Sequence, residues 1–457
     1  MNRIQGRAGI VLILVAALLV GALFFTGEYL IEGGDWVIFS GSPHVYNGGN
    51  IGCGTVTDRD GNLLLDLTAG RTYSGDAALR LSTVHWLGDR QGYISAPALA
   101  HYAEEMAGYD VLNGVYSYAN AGGAAELTLS AQVQKVALEQ LGSRKGTVAV
   151  YNYQTGQLIC AVTTPTYDPD NVPDIAGDTT GAYEGVYLNR LTQSVYIPGS
   201  IFKTVTAAAA LESIDGIEDM TFECTGKYVI NGGKVTCESK HGTLTLKKAL
   251  EKSCNCAFAQ VAELLGGETL QYYVDQFQIT KGVTFDGITT AAGGFDVSSG
   301  DMLEVAWSAV GQGNDQVNAC RFLTYMGAIA GGGIGVEPYL VERIQVGSST
   351  AYQAKAVSTG RIMSTATALT LQQYMRGNVQ NNYGDENFPG LTVCAKTGTA
   401  QVEGSEKSTA TFCGYTLDED YPFAFIAIVE NAGYGSKVCV PIMSAVLEAC
   451  RELYAAQ

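Results

Sequence analysis

An uncharged segment near the amino terminus constrains the fold of this chain more than any other feature. Residues 8–25 carry no charged side chain and consist mostly of Ala, Val, Leu, Ile and Phe. A helix of that length spans about 27 Å, close to the ~30 Å hydrocarbon core of a bilayer. Arg3 and Arg7 precede the segment and no acid does, so the positive-inside rule places residues 1–7 in the cytoplasm. The sequence therefore predicts a single-pass transmembrane signal anchor, with the rest of the chain outside the cytoplasm.

A cleaved signal peptide is the alternative interpretation of this segment. The apolar run is longer than the usual signal-peptide core of about 7–15 residues. It ends in Phe24-Phe25-Thr26-Gly27-Glu28, which offers no obvious pair of small residues for cleavage. No cysteine follows closely, which argues against a lipoprotein anchor. The uncleaved anchor is the interpretation that the sequence favours.

Charge and composition limit the classes of function. Among 457 residues, 45 are acidic and 27 basic, and the formal net charge is −18 at pH 7. A surface that binds nucleic-acid phosphates needs the opposite balance, so we expect no nucleic-acid partner. None of the four histidines forms the helical pair of a zinc metalloprotease. Hydrophobic residues make up 47% of the chain, ample for large cores.

The chain has eleven cysteines, an odd number that rules out complete pairing within one chain. Cys224 and Cys237 flank the turn-prone sequence Asn231-Gly232-Gly233, and a hairpin there would bring the two thiols together. We expect a disulfide between them, two free thiols being the alternative. Cys254-Asn255-Cys256 has the form of a metal-binding pair, but we interpret its thiols as buried on a helix and predict no metal site.

Patterning divides the exported part into two regions. Residues 26–125 are rich in Gly, Tyr, Ser and Asn with short potential strands, which indicates a small β-rich amino-terminal module. Residues 126–457 mix longer helices and strands, which indicates an α+β domain with an antiparallel sheet flanked by helices. In that domain we predict helices over Ser130–Leu141, Ser200–Leu211, Leu246–Leu265 and Ile442–Ala455, and three consecutive antiparallel strands over Thr392–Gln401, Thr409–Tyr415 and Phe423–Glu430.

The first motif with chemical content is Pro198-Gly199-Ser200-Ile201-Phe202-Lys203. If a helix begins at Ser200, Lys203 lies one turn later on the same face, and its amine can reach the hydroxyl. A serine hydroxyl becomes a nucleophile when a base removes its proton, and a lysine whose pKa is lowered by burial can be that base. Taken alone, the motif also fits an ordinary helix start.

Two further motifs follow in the chain. Ser253-Cys254-Asn255 begins an apolar helical stretch, where a hydroxyl and an amide could relay a proton and hold a substrate carbonyl; an N-cap pair is the alternative. Lys396-Thr397-Gly398-Thr399 lies in a predicted strand. There, Gly398 would let a ligand approach the backbone, while Lys396 and the threonine hydroxyls would bind a carboxylate. A solvated edge strand is the alternative for this motif.

The three motifs in this order resemble those of the penicillin-binding proteins and serine β-lactamases. The resemblance is closest to the class B, monofunctional penicillin-binding proteins, and it covers residues 125–457 well. Upstream, Gly54 to Gly61 resembles an Arg-Gly-x-Ile-x-Asp-Arg-Asn-Gly motif, with Cys53 in place of the usual Arg. The resemblance implies a penicillin-binding transpeptidase domain of α+β class, preceded by a small β-rich pedestal and one transmembrane helix.

The resemblance also implies an activity, the cross-linking of peptidoglycan stem peptides by a D,D-transpeptidase that β-lactams inhibit. Ser200 would attack the penultimate D-Ala carbonyl, with Lys203 as general base. Ser253 would pass the proton to the leaving amine, and Asn255 would hold the peptide amide.

Substrate binding falls to the third motif in this resemblance. Lys396 and Thr397 would position the substrate carboxylate within the segment that Gly398 and Thr399 complete. The backbone N–H groups of Ser200 and Thr399 would form the oxyanion hole. No cofactor is implied.

Several related activities are alternatives. A membrane-anchored β-lactamase needs an acid that drives hydrolysis, and none is assignable from the sequence; class B similarity argues against a D,D-carboxypeptidase. A β-lactam-sensing receptor needs several membrane spans and a zinc-protease segment, which the sequence does not indicate. The resemblance further implies a multispanning membrane glycan polymerase as partner, and a role in cell division or cell shape.

Overall fold

The computed structural model describes residues 2–39, 41–43, 45–112, 114, 122–313, 315–401 and 407–456. Its α-helices are α1 (Asn2–Val37), α2 (Ala77–Leu87), α3 (Pro97–His101), α4 (Ala103–Ala107), α5 (Ala131–Leu141), α6 (Arg190–Gln193), α7 (Lys203–Ser213), α8 (Leu246–Glu251), α9 (Asn255–Gln276), α10 (Met302–Ala309), α11 (Ala319–Ala330), α12 (Thr365–Asn378) and α13 (Gly435–Ala455). The strands of its larger sheets and hairpins are β1 (Thr55–Thr57), β2 (Leu63–Asp66), β3 (Thr72–Tyr73), β4 (Ala124–Leu127), β5 (Gly146–Asn152), β6 (Leu158–Thr164), β7 (Thr221–Cys224), β8 (Lys227–Ile230), β9 (Gly233–Thr236), β10 (Gly242–Thr245), β11 (Ile334–Val336), β12 (Val341–Val346), β13 (Ser349–Gln353), β14 (Ser358–Arg361), β15 (Val393–Ala400), β16 (Thr409–Thr416) and β17 (Phe423–Val429).

Helix α1 contains the uncharged segment 8–25 and continues beyond it. By length and composition it can cross a membrane, and its most apolar stretch has no contact that buries it within the chain. An exposed apolar helix of this length is unfavourable in water, whereas hydrocarbon solvates it. The structure therefore agrees with membrane anchoring through α1.

A five-stranded antiparallel sheet of order β15-β16-β17-β5-β6 forms the centre of the larger region. Every residue of β5, β6, β16 and β17 is buried, because helices cover both faces of the sheet. On one face α5 and α13 pack through residues such as Val133 and Leu447. On the other face α11 packs against β16 and β17. The predicted antiparallel sheet flanked by helices is confirmed, including its three consecutive carboxyl-terminal strands.

The pedestal contains a six-stranded sheet of order β13-β12-β4-β1-β2-β3. β1 pairs with β4 in parallel, and the remaining neighbours are antiparallel. Two of its strands, β12 and β13, come from far along the chain, with Val341 paired to Leu127. The small β-rich region is confirmed, and it draws strands from both sides of residue 126.

Polar contacts also tie the amino-terminal region to the larger region. The Arg80 guanidinium binds the Asp168 carboxylate through two bonds of 2.7 Å. The Trp86 indole donates to the Ala161 carbonyl at 2.7 Å, so α2 is fixed against β6. The two regions are therefore joined by shared sheet hydrogen bonds and a charged pair.

The predicted helix over Leu246–Leu265 is wrong at one point. The structure has two helices, α8 and α9, separated at Lys252–Cys254. Ser253 has φ of 50°, a left-handed conformation that a helix cannot include, and Cys254 caps α9 by accepting from the Ala257 amide. The break turns the Ser253 side chain towards α7.

Candidate active site

Ser200 lies in a short 3-10 turn, Gly199–Ile201, immediately before α7. The predicted helix start at Ser200 is therefore displaced, since the regular α-helix begins at Lys203. Gly199 has φ of 58°, and a side chain there would meet the Thr399 carbonyl at 2.9 Å. Glycine thus allows this turn to lie directly against β15.

The Lys203 side chain connects the first two motifs. Its Nζ lies 2.7 Å from Ser200 Oγ and 2.7 Å from Asn255 Oδ1. It also lies 3.2 Å from the Ser253 carbonyl and 3.3 Å from Ser253 Oγ. Burial and the nearby Lys396 charge lower the pKa of Lys203 to about 7. Burial disfavours the charged amine, and the positive charge of Lys396 disfavours it further.

Lys396 reaches the same group from β15. Its Nζ lies 3.1 Å from Ser253 Oγ and 2.9 Å from the Thr397 carbonyl. Burial lowers the pKa of Lys396 to about 8. The Ser253 hydroxyl therefore lies between two lysine amines.

Asn255 and the threonines of the third motif are held by other elements. The Asn255 amide donates to the Thr236 carbonyl in β9 at 2.9 Å. The Thr397 backbone N–H donates to the Tyr383 hydroxyl at 3.0 Å, and the Thr397 hydroxyl is 2.9 Å from that oxygen. The Gln312 amide lies 3.4 Å from the Thr399 carbonyl.

Gly398 packs closely against the turn that carries Ser200. A Cβ atom there would lie 2.9 Å from the Pro198 carbonyl and 3.1 Å from Ile201 Cγ2. The side of Gly398 to which a Cβ would point is thus filled by the turn that carries Ser200, and the approach of a ligand to the backbone of β15 stays a prediction. Gly398 sets the distance between β15 and that turn.

The motifs line one open cleft between α9, β15 and the loop after β9. Ser200, Ser253, Asn255, Thr397 and Thr399 all border it. Lys396 is only 1% exposed and lies beneath the cleft wall. Outside the predicted motifs, the cleft is also bordered by residues such as Trp307, Gln312, Lys407 and Tyr434.

The predicted disulfide between Cys224 and Cys237 is not formed. All eleven cysteines lie within the described residues and are free thiols. The expected hairpin does form from β8 and β9, with left-handed Asn231 and Gly232 in its turn. Cys237 Sγ lies 3.6 Å from Cys254 Sγ and Cys224 Sγ lies 3.5 Å from His241 Nδ1, so both thiols belong to a wider cluster of thiols and one imidazole.

Sequence reasoning missed two features of the site. Tyr383 lies in a π-helical turn after α12, and no motif points to its bond with Thr397. The grouping of Cys237 and His241 beside Cys254 was also missed, although His241 in Cys237-x-x-x-His241 precedes Cys254 by only 13 residues and was a usable signal.

Comparison with known proteins gives one family. The family model described as the penicillin-binding protein transpeptidase domain matches residues 146–448. The peptidoglycan D,D-transpeptidase PbpA of Mycolicibacterium smegmatis is 26% identical over 367 residues, which are 72% of each chain.

Solved structures share the fold. The D,D-transpeptidase domain of a peptidoglycan glycosyltransferase from Eggerthella lenta superposes with a TM-score of 0.76 at 26% identity, covering 89% of this chain and 99% of that one. PBPA of Mycobacterium tuberculosis gives a TM-score of 0.76 at 22% identity, covering 87% and 99%.

Proposed function

The chain belongs to the penicillin-binding protein transpeptidase family, and from this premise we propose that it cross-links peptidoglycan stem peptides with Ser200 as nucleophile. The chain is a class B peptidoglycan D,D-transpeptidase by its family and its relatives. The observation that carries the assignment of Ser200 is the 2.7 Å contact between its hydroxyl and the Lys203 amine. A neutral amine at that distance is in position to remove the hydroxyl proton.

Acylation proceeds in two stages. Ser200 Oγ attacks the carbonyl carbon of the penultimate D-Ala while its proton moves to Lys203 Nζ. The resulting oxyanion is stabilised by the backbone N–H groups of Ser200 and Thr399, each worth about 3–4 kcal/mol at comparable sites. The intermediate then loses the terminal D-Ala as its amine, which takes a proton through Ser253, and an acyl ester on Ser200 remains.

The remaining site residues position the substrate. Asn255 holds the peptide amide from the helix start beside Lys203. Thr397 binds the terminal carboxylate, and Lys396 supplies positive charge from beneath the cleft wall. Gly398 and Thr399 complete this wall, and the fixed backbone pre-organises it for the ligand.

Transfer regenerates the enzyme. The amine of a neighbouring stem peptide attacks the acyl ester, its surplus proton returns to Ser200 Oγ, and the new amide is the cross-link. A β-lactam resembles the D-Ala-D-Ala terminus and acylates the same hydroxyl. The resulting acyl-enzyme ester occupies the cleft and is hydrolysed slowly.

We also propose the organisation that the sequence predicts. Residues 1–7 are cytoplasmic, 8–25 cross the membrane, 26–125 form the pedestal and 126–457 the transpeptidase domain. The domain lies outside the cytoplasm, where its substrate is found, and a multispanning glycan polymerase supplies the glycan strands. Protease added to intact protoplasts should digest nearly all of the chain beyond residue 30, and protection of that part would contradict this orientation.

Product analysis separates the proposal from its nearest alternatives. The purified full-length chain in detergent is mixed with polymerised glycan bearing stem pentapeptides, and the muropeptides are then analysed by mass spectrometry. We expect cross-linked dimers that depend on Ser200. Tetrapeptide without dimer would instead indicate a D,D-carboxypeptidase, and rapid β-lactam hydrolysis would indicate a β-lactamase.

A further inference from the structure

Three cysteines and one histidine converge beside the cleft. Cys224, Cys237, His241 and Cys254 each direct one sulfur or nitrogen atom to a common point, and these four atoms lie within 4.8 Å of one another. They come from the end of β7, the loop after β9 and the cap of α9. The proposed catalytic steps use none of these side chains.

Two of the six separations among the four ligand atoms match those of a tetrahedral zinc site, and the other four are at most 4.8 Å. With Zn–S near 2.3 Å and Zn–N near 2.0–2.1 Å, ligand atoms lie about 3.5–3.8 Å apart. Cys237 Sγ and Cys254 Sγ are 3.6 Å apart, and Cys224 Sγ and His241 Nδ1 are 3.5 Å apart. Thiols that are buried only as small hydrophobic groups would not have to lie at these distances from one another.

The surroundings of the ligand atoms suit metal-bound thiolates and imidazole. The Cys256 N–H donates to Cys237 Sγ at 3.3 Å, and the Ala257 N–H donates to Cys254 Sγ at 3.4 Å. His241 Nε2, the ring nitrogen that faces away from the group, lies 3.0 Å from Ser239 Oγ. Such outer hydrogen bonds fix the ring and stabilise charge on the sulfurs.

From this geometry we infer that Cys224, Cys237, His241 and Cys254 bind one zinc ion as a closed Cys3His site. Four protein ligands fill a tetrahedral shell, so the ion has no open position for water or substrate and acts as a structural brace. No metal was expected here from the sequence, because Cys254 was considered only with Cys256.

The brace joins two walls of the cleft. Cys254 stands between Ser253 and Asn255, while Cys237 follows Thr236, whose carbonyl accepts from Asn255. Ser253 has the left-handed backbone with φ of 50°. An ion bound to Cys254 would hold that unfavourable conformation and tie it to the loop 237–241. The inference itself does not depend on the proposed function, since it concerns metal content.

The test measures metal in the full-length chain, purified in detergent under reducing conditions with zinc present and then dialysed. We expect one zinc per chain by elemental mass spectrometry. Replacement by Co²⁺ should give a thiolate-to-cobalt charge-transfer band together with tetrahedral visible bands. The wild-type measurement needs no variant, so it stands whether or not a variant folds.

Variants identify the ligands. Cys237→Ser and His241→Ala should each lower zinc content at least about tenfold, and the cobalt charge-transfer band should lose intensity in Cys237→Ser. Cys320→Ser is the matched control, a buried thiol in α11 outside the group, and it should keep its zinc.

Three results would overturn the inference. They are a wild-type chain that takes up no zinc or cobalt, zinc that persists in both ligand variants, and peptide mapping that finds a disulfide among these cysteines in chain isolated from membranes.

Discussion

The Lys203 amine lies 2.7 Å from the Ser200 hydroxyl while its side chain has no contact with solvent. The short 3-10 turn before α7 creates this arrangement, because it places Ser200 one turn before Lys203, on the same side of the helix. Burial beside Lys396 then disfavours the charged amine. The pair thus has the proximity and the proton affinity that a nucleophile and its base require.

The pH dependence of acylation follows from the two buried lysines. In the proposed mechanism Lys203 is a neutral base, so the second-order rate of β-lactam acylation should rise as pH increases through about 7. In the proposed mechanism Lys396 is a cation, so the rate should fall above about 8. Because the two amines interact, the rising and falling limbs of the pH–rate profile report apparent pKa values that belong to the pair. Stopped-flow acylation across pH 5–10 measures the profile, and a rate that increases towards acid would contradict it.

Substituting Gly398 should separate β15 from the serine turn. In Gly398→Ala the new methyl group would meet the Pro198 carbonyl at 2.9 Å, a backbone atom that cannot rotate away. We expect a loss of about 1–3 kcal/mol in unfolding free energy and slower acylation. Gly75→Ala is the control, because its Cβ would meet no atom within 4 Å. Equal behaviour of the two variants in thermal melts and acylation assays would refute this role of Gly398.

The Tyr383 hydroxyl should contribute to the binding wall through Thr397. In Tyr383→Phe the partly buried Thr397 N–H loses its acceptor at 3.0 Å, which costs about 1 kcal/mol. We expect the apparent affinity for β-lactams that carry a carboxylate to fall about tenfold, with Ser200 still reactive. Tyr374→Phe removes a hydroxyl bonded to Glu218 instead and should leave that affinity unchanged.

The Arg80–Asp168 pair should make stability dependent on acid. The Arg80 guanidinium holds the pKa of Asp168 well below its ordinary value. Its contribution is therefore complete above the unfolded pKa of ~3.9 and is lost as pH falls through the depressed value. Asp168→Asn should lower unfolding free energy at pH 7 by about 1–3 kcal/mol and flatten the acid dependence below pH 4.

Denaturant melts of the full-length chain at pH 7 and at about pH 3 measure this difference. The exposed Asp420→Asn serves as control and should change stability by less than about 0.5 kcal/mol. Matching curves for Asp168→Asn and the native chain would show that the pair contributes nothing.

The sequence predicted those helices and strands in which hydrophobic residues recur with a clear helical or strand period. The apolar strands at 409–416 and 423–429 and the amphipathic helix before residue 141 form as expected, since burial against a sheet dictates their pattern. The helix break at Ser253 was not visible, because propensity alone continues a helix through Ser-Cys-Asn. Pairing of β12 with β4 joins residues more than 200 positions apart, a distance over which local patterns carry no information.

In the candidate site, too, local spacing was predictive and long-range packing was not. The spacing of Ser200 and Lys203 was enough to predict their contact, since three residues make one helical turn. The packing of Gly398 against the serine turn was not predicted, because a missing side chain does not reveal whether ligand or protein fills the space. Cys237 and His241 approach Cys254 only because the β8–β9 hairpin folds back, and the local pattern Cys254-Asn255-Cys256 does not indicate that approach.

The most direct measurement of the central claim is the site of acylation by a fluorescent penicillin. The full-length chain in detergent is labelled, digested and mapped by mass spectrometry beside Ser200→Ala and Lys203→Ala. We predict a long-lived adduct on the peptide that contains Ser200, no labelling of Ser200→Ala with its thermal melt unchanged, and labelling of Lys203→Ala that is about 10²–10⁴ slower. An adduct on another residue, or labelling that survives Ser200→Ala, would contradict the account.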